Sequence, residues 1–226
     1  MFPIKSPMFS IKIVFFPRFS DFSLIIFPPA DYFAVMNHSY FKYYIINKPY
    51  GVLPQFTDKE GRKTLGDFFS FPKDVYPVGR LDMDSEGLLL LTNDKKLTDY
   101  LLNPANRHER EYFVQVEGVP SEESLNFLRK GVIIENKITL PAKAKIIPAP
   151  EIWERIPPIR VRKTIPDTWI SLTLTEGRNR QVRKMTAKTG HPTLRLVRVR
   201  IKNIHLSNLL PGEVRELTAD EVKGLI

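Results

Sequence analysis

Apolar and aromatic residues fall in short runs between residues 40 and 226, and the periodicity changes from run to run. Tyr40 to Asn47 is rich in aromatic and β-branched residues and meets Pro49-Tyr50-Gly51, which predicts a strand ending in a turn. Thr64 to Phe69 predicts a short helix. Gly87-Leu-Leu-Leu-Leu-Thr92 is a continuous apolar run too short for a helix, so a buried strand is expected. Asn93 or Asp94 is placed to cap a helix over Lys95 to Leu102, which must stop before Pro104. Glu111 to Gly118 alternates as a strand, and Ser121 to Lys130 reads as a helix closed by Gly131. Lys143 to Ile147, Trp169 to Thr175 and Leu194 to Ile201 predict further strands. Arg180 to Thr189 carries a helical pattern, and Thr218 to Glu221 is a capping box for a last helix.

Strands outnumber helices and no regular alternation of the two appears, so the fold class is α+β. The proline-rich stretch from Pro148 to Pro166 is the one expected long excursion. The first residues differ from the rest. Residues 1–35 hold eight of the fifteen phenylalanines, and their longest apolar run, Leu24 to Phe27, is cut by Pro28 and Pro29. A spanning helix needs about twenty apolar residues, and a secretory signal needs an unbroken apolar block. Residues 1–38 are expected to be a leader, with translation beginning at Met36, and residues 39–226 to be the working domain.

The chain has 226 residues, 42% of them hydrophobic and 26% charged, the balance of a globular protein. It has no cysteine, which excludes disulfides, thiolate metal sites and a cysteine nucleophile. Thirty-four basic against 25 acidic residues leave a net charge of +9, suited to a polyanionic partner. The charge is local: twelve basic residues lie between Arg155 and Arg200, against Asp167 and Glu176 alone. The four histidines, at 38, 108, 191 and 205, have no metal-ligand spacing, so no metal site is expected.

Three stretches carry candidate chemistry. In Val78-Gly-Arg-Leu-Asp-Met-Asp-Ser-Glu-Gly87, Asp82 sits on a polar loop fixed by the strand that follows, an address suited to a catalytic side chain and equally to a turn aspartate. Asp84 and Glu86 on the same loop are expected to be solvated. In Glu176-Gly-Arg-Asn-Arg-Gln-Val-Arg-Lys-Met185, Arg178, Arg180, Arg183 and Lys184 gather at a strand-to-helix junction, where a helix N-terminus and basic side chains together can cradle phosphate. A solvated basic face is the alternative. In Arg110-Glu-Tyr112, the tyrosine can stack on a base and handle a proton, or simply pack on a strand.

Gly79-Arg-Leu-Asp82 with Ser85-Glu-Gly-Leu-Leu-Leu-Leu-Thr-Asn93 resembles the signature of the RsuA/RluB/E/F family of RNA pseudouridine synthases. Arg110-Glu-Tyr112, the 176–185 stretch and Leu196-Val-Arg-Val-Arg-Ile201 are similar to that family in the same order, from about Tyr43 to Leu217. The resemblance implies a central mixed or antiparallel sheet crossed by a cleft, and isomerisation of uridine to pseudouridine without cofactor or metal. It assigns Asp82 as the catalytic aspartate, Tyr112 as the base-stacking tyrosine, Arg183 as the partner of Asp82 and Leu196 as an apolar pocket residue. Arg80, Arg110, Arg178, Arg180, Lys184 and Arg198 fall to RNA binding. Lys202 departs from the family, standing where a glycine often follows. Nothing in residues 1–40 resembles the S4 RNA-binding module of many relatives, so the chain looks most like the RluE branch, whose substrate is large-subunit (23S) ribosomal RNA. A cytoplasmic monomer, with no membrane partner, is the corresponding expectation.

Such chemistry detaches the base from C1′, rotates it and rejoins it through C5, with water excluded and the uridine taken out of its stack. Asp82 must be ionised, and a nearby guanidinium favours that form. Attack at C1′, attack at C6 and proton abstraction from C2′ all fit one carboxylate.

Overall fold

The computed structural model describes residues 40–159 and 164–226. The expected leader, its Met36 start and part of the basic zone (residues 160–163) lie outside them. In chain order the elements are β1 (Tyr43–Lys48), β2 (Tyr76–Pro77), β3 (Glu86–Thr92), α1 (Lys95–Leu102), β4 (Arg110–Glu117), α2 (Glu122–Lys130), β5 (Ile133–Ile134), β6 (Lys137–Ile138), β7 (Lys143–Ile147), β8 (Asp167–Leu174), α3 (Gln181–Lys188), β9 (Thr193–Ile201), β10 (Ile204–His205), β11 (Val214–Glu216) and α4 (Ala219–Leu225). Single 3₁₀ turns at Leu65–Asp67 and Pro104–Asn106 complete the described elements.

The helices begin where the side chains allow. Asp94, rather than Asn93, caps α1 by accepting the Leu97 N–H, and it also accepts the Tyr43 hydroxyl at 3.0 Å. Ser121 caps α2, Gly131 ends it, and Thr218 with Glu221 forms the capping box of α4. Between Trp169 and Thr173, β8 runs antiparallel to both β4 and β7, with the Pro148–Pro166 excursion joining β7 to β8.

The main sheet runs in the order β11-β1-β3-β9-β4-β8-β7, with β2 beside β3 and β10 beside β9. Every pairing is antiparallel except β3 with β9, so the sheet is mixed. That parallel contact has two registered pairs, Glu86 with Val197 and Gly87 with Arg198. All seven residues of β3 are buried, the reason its sequence is an unbroken apolar run. On one half of the sheet, Val114, Val116, Ile170 and Leu172 pack with Leu125 and Leu128 of α2 and with Val182 and Met185 of α3. On the other, Ile46, Leu89 and Leu91 pack with Val52, Leu65 and Val75. No helix among the described residues is long and apolar enough to cross a membrane.

Candidate active site

A cleft of about 570 Å³ opens where the two halves meet, a volume in the range that holds small ligands. Its lining comes from the Val78–Ser85 loop, from Arg110 and Tyr112 of β4, from Leu196 and Arg198 of β9, and from residues 176–182 before and into α3. Asp82, Tyr112, Arg80, Arg110, Arg178, Arg180, Leu196 and Arg198 therefore share one cavity.

Three features of the backbone put them there. The ladder sets Tyr112 opposite Arg198 and Val114 opposite Leu196, so alternate positions of β4 and β9 face the cleft together. Gly87, at φ +100°, lets β3 approach β9 until an added Cβ would lie 2.3 Å from the Arg198 carbonyl oxygen. The Asp82 loop is held from behind: Gly51 N–H donates to the Met83 carbonyl at 2.8 Å, and Ser85 N–H to the Asp82 carbonyl at 3.0 Å.

The electrostatics differ from the expected pairing. Arg183 does not pair with Asp82; its Nε lies 3.4 Å from Asp84 Oδ2, and its Nη2 donates to the Asp84 carbonyl at 2.6 Å. The guanidinium on Asp82 is that of Arg180, at 3.5 Å, and Arg180 also grips Asp84 with two hydrogen bonds of 2.9 and 2.8 Å. The cause is local. The helix begins at Gln181, one residue late, and Arg180 is its N-cap in the left-handed region (φ 50°, ψ 34°), so its side chain leaves the helix towards the aspartate loop.

Glu86, expected to be solvated, is buried, and Asp84 is partly exposed but paired. Asp84 is half-buried; burial opposes its ionisation, but the Arg180 hydrogen bonds and the charges of Arg183 and Arg180 outweigh that and hold the carboxyl below its ordinary value. Glu86 is 1% exposed and paired with Arg195 through bonds of 2.8 and 2.9 Å. Trp153 of the excursion donates its indole N–H to Glu86 at 2.8 Å, and Arg195 donates to the Trp153 carbonyl.

Other arginines split between wall and floor. Arg178 is committed to the wall, donating to Glu176 and to the Lys137 and Ile138 carbonyls. Lys184 turns away from the cleft to Glu135 and Asn179, so the expected phosphate cradle loses one member. Arg110 donates to the Leu101 carbonyl and Arg198 to the Leu88 carbonyl, two cations lining the cleft with no carboxylate bonded to either among the described residues. Burial pushes the Arg110 guanidinium down, Tyr112 opposes this, and the charge of Arg198 adds to it. Lys202 takes the left-handed conformation (φ 52°) that a glycine would adopt there, in the turn from β9 to β10.

Sequence reasoning missed Lys48. It is fully buried at the end of β1, donating to the carbonyls of Pro49, Val52 and Met83 at 2.9, 2.8 and 3.4 Å. Burial pushes its ammonium down to about 7, against the pull of Glu86 and Asp84. A lysine beside Pro49 reads as a polar strand end, and only the fold shows the carbonyl cage around it. Among the described residues no His, Asp and Glu cluster is arranged to hold a metal ion.

A family model described as RNA pseudouridylate synthase matches residues 42–188. The chain is 54% identical over 176 residues to the ribosomal large subunit pseudouridine synthase E of Vibrio parahaemolyticus, covering 78% of this chain and 74% of that protein. It is 53% identical over 170 residues to the protein of the same name from Xanthomonas axonopodis pv. citri, covering 74% of this chain and 89% of the relative. A crystal structure of a pseudouridylate synthase superposes with a TM-score of 0.69 at 30% identity, over 82% of this chain and 74% of the other.

Proposed function

Because the chain belongs to the RNA pseudouridylate synthase family, we propose that the RNA it modifies is that of the large ribosomal subunit, with Asp82 as its catalytic carboxylate. The reaction breaks the bond from N1 to C1′ and makes one from C5 to C1′; N1 gains a proton and C5 loses one. The observation that carries the reading is the shared cleft, in which Asp82, Tyr112 and Leu196 lie among arginines.

Each residue has a task in that cleft. Asp82 meets the sugar or the base, with the Arg180 guanidinium 3.5 Å away. Tyr112 gives the freed uracil a flat face and a hydroxyl near C5, where the last proton leaves. Leu196 closes the pocket against water, whose entry would divert the reaction to an abasic site. Arg80, Arg110 and Arg198 meet the backbone of the flipped nucleotide, a contact that makes affinity fall steeply with salt. Working as a monomer keeps the cleft open to a folded RNA, and a ribosomal substrate places the enzyme in the cytoplasm.

The test is tritium release from transcripts labelled at uridine C5. Large-subunit RNA should release one equivalent per molecule, and small-subunit and transfer RNA none. Release from either of the latter with a silent large-subunit transcript would overturn the substrate assignment.

A further inference from the structure

Asp84 has no task in the proposed reaction, yet its carboxylate takes both arms of the arginine that also reaches Asp82. Its two oxygens take the Arg180 fork at 2.9 and 2.8 Å, Arg183 Nε stands 3.4 Å from the second of them, and its own carbonyl accepts from Arg183 at 2.6 Å. Asp82, two residues earlier, stands 3.5 Å from the same fork. Arg180 holds this arrangement from a left-handed backbone position that an ordinary side chain disfavours, and no side-chain cap on α3 compensates.

From this geometry we infer that Asp84 is a positioning residue: by taking the Arg180 guanidinium bidentately it limits Asp82 to one longer contact, which leaves a carboxylate oxygen of Asp82 free to meet the substrate. The chemistry requires such a division. A reacting carboxylate needs a cation close enough to stay ionised, whereas a bidentate arginine would occupy both of its oxygens and lower their reactivity. Asp84 takes the strong pairing and Asp82 keeps the weak one. The inference rests on Asp82 being the catalytic carboxylate.

The test compares wild type, Asp84→Asn, Asp84→Glu and Arg180→Lys in the full chain, by single-turnover tritium release and RNA affinity. In Asp84→Asn the fork turns to Asp82. The maximal rate should fall about tenfold to a hundredfold, with RNA affinity little changed, as a misplaced reacting group produces. Asp84→Glu should restore most of the rate.

Arg180→Lys gives a second reading if Asp84→Asn does not fold. A lysine cannot hold two carboxylates with a planar fork, so its maximal rate should also fall with RNA affinity little changed. Unchanged rates in both variants, with an active wild type, would overturn the inference alone. A slow Asp84→Asn without rescue by glutamate, or with RNA affinity lost in step, would reduce Asp84 to a structural staple and overturn it as well. A wild type inactive on every RNA would overturn the catalytic reading and the inference with it.

Discussion

Replacing Gly87 with alanine strikes the contact on which the cleft depends. The added Cβ would lie 2.3 Å from the Arg198 carbonyl oxygen, 2.9 Å from Arg198 N and 3.0 Å from Val197 Cγ1. Carbon and oxygen approach to about 3.3 Å at best, so β3 and β9 must separate by about 1 Å. A side chain at φ +100° adds backbone strain of about 1–3 kcal/mol. The parallel ladder has only the pairs Glu86 with Val197 and Gly87 with Arg198, and losing one or two of its hydrogen bonds costs about 1 kcal/mol each. Together these give about 2–5 kcal/mol, a large part of the roughly 5–15 kcal/mol that holds a domain folded. With a urea slope of about 2 kcal/mol/M, the unfolding midpoint should fall by about 1–2.5 M. Gly190→Ala is the control: its φ is +84° but nothing lies within 4 Å of the added Cβ, so only about 1 kcal/mol of strain applies. Equal midpoint shifts in the two variants would refute the argument from close approach.

Three further outcomes follow from the same geometry. Glu86→Gln leaves Arg195 buried without its counter-charge and should cost about 3–5 kcal/mol in urea unfolding, with altered emission from Trp153; a loss under about 1 kcal/mol would contradict the buried pairing. Lys48 binds its proton less tightly folded, at about 7, than unfolded, at 10.5, so the unfolded chain holds more protons between those values and stability should rise with pH there. Wild type should therefore gain on Lys48→Met between pH 7 and 10, by up to about 1.4 kcal/mol per unit, and parallel stability curves would contradict the buried ammonium. Tyr112→Phe should bind RNA as wild type does in a filter assay but turn over slowly; near-normal turnover would remove the hydroxyl from proton handling.

Periodicity made the scaffold legible wherever burial is one-sided or complete. The run from Gly87 to Thr92 announced β3, and the spacing after Asp94 announced α1, because local sequence decides those elements. Short strands such as β5 and β11 were silent, since two or three residues carry no period and their pairing is set by distant chain. At the site, the residue types that meet in the cleft were legible and their partners were not. Whether Arg180 or Arg183 reaches Asp82 turns on one residue of helix register and a left-handed backbone, which composition does not encode. Glu86 looks like a solvated loop acid until Arg195, 109 residues away in the chain, is brought against it by the sheet. The same holds for Lys48, whose cage is built from backbone carbonyls.

The central claim is that Asp82 carries a uridine isomerisation in large-subunit ribosomal RNA. Carbodiimide mapping of pseudouridine in ribosomal RNA, from a strain lacking the gene and complemented with wild type or Asp82→Asn, tests it directly. The account predicts that one large-subunit site disappears in the deletion strain, returns with wild type and stays absent with Asp82→Asn. Restoration by both forms, or loss at no site in the large-subunit RNA, would contradict it.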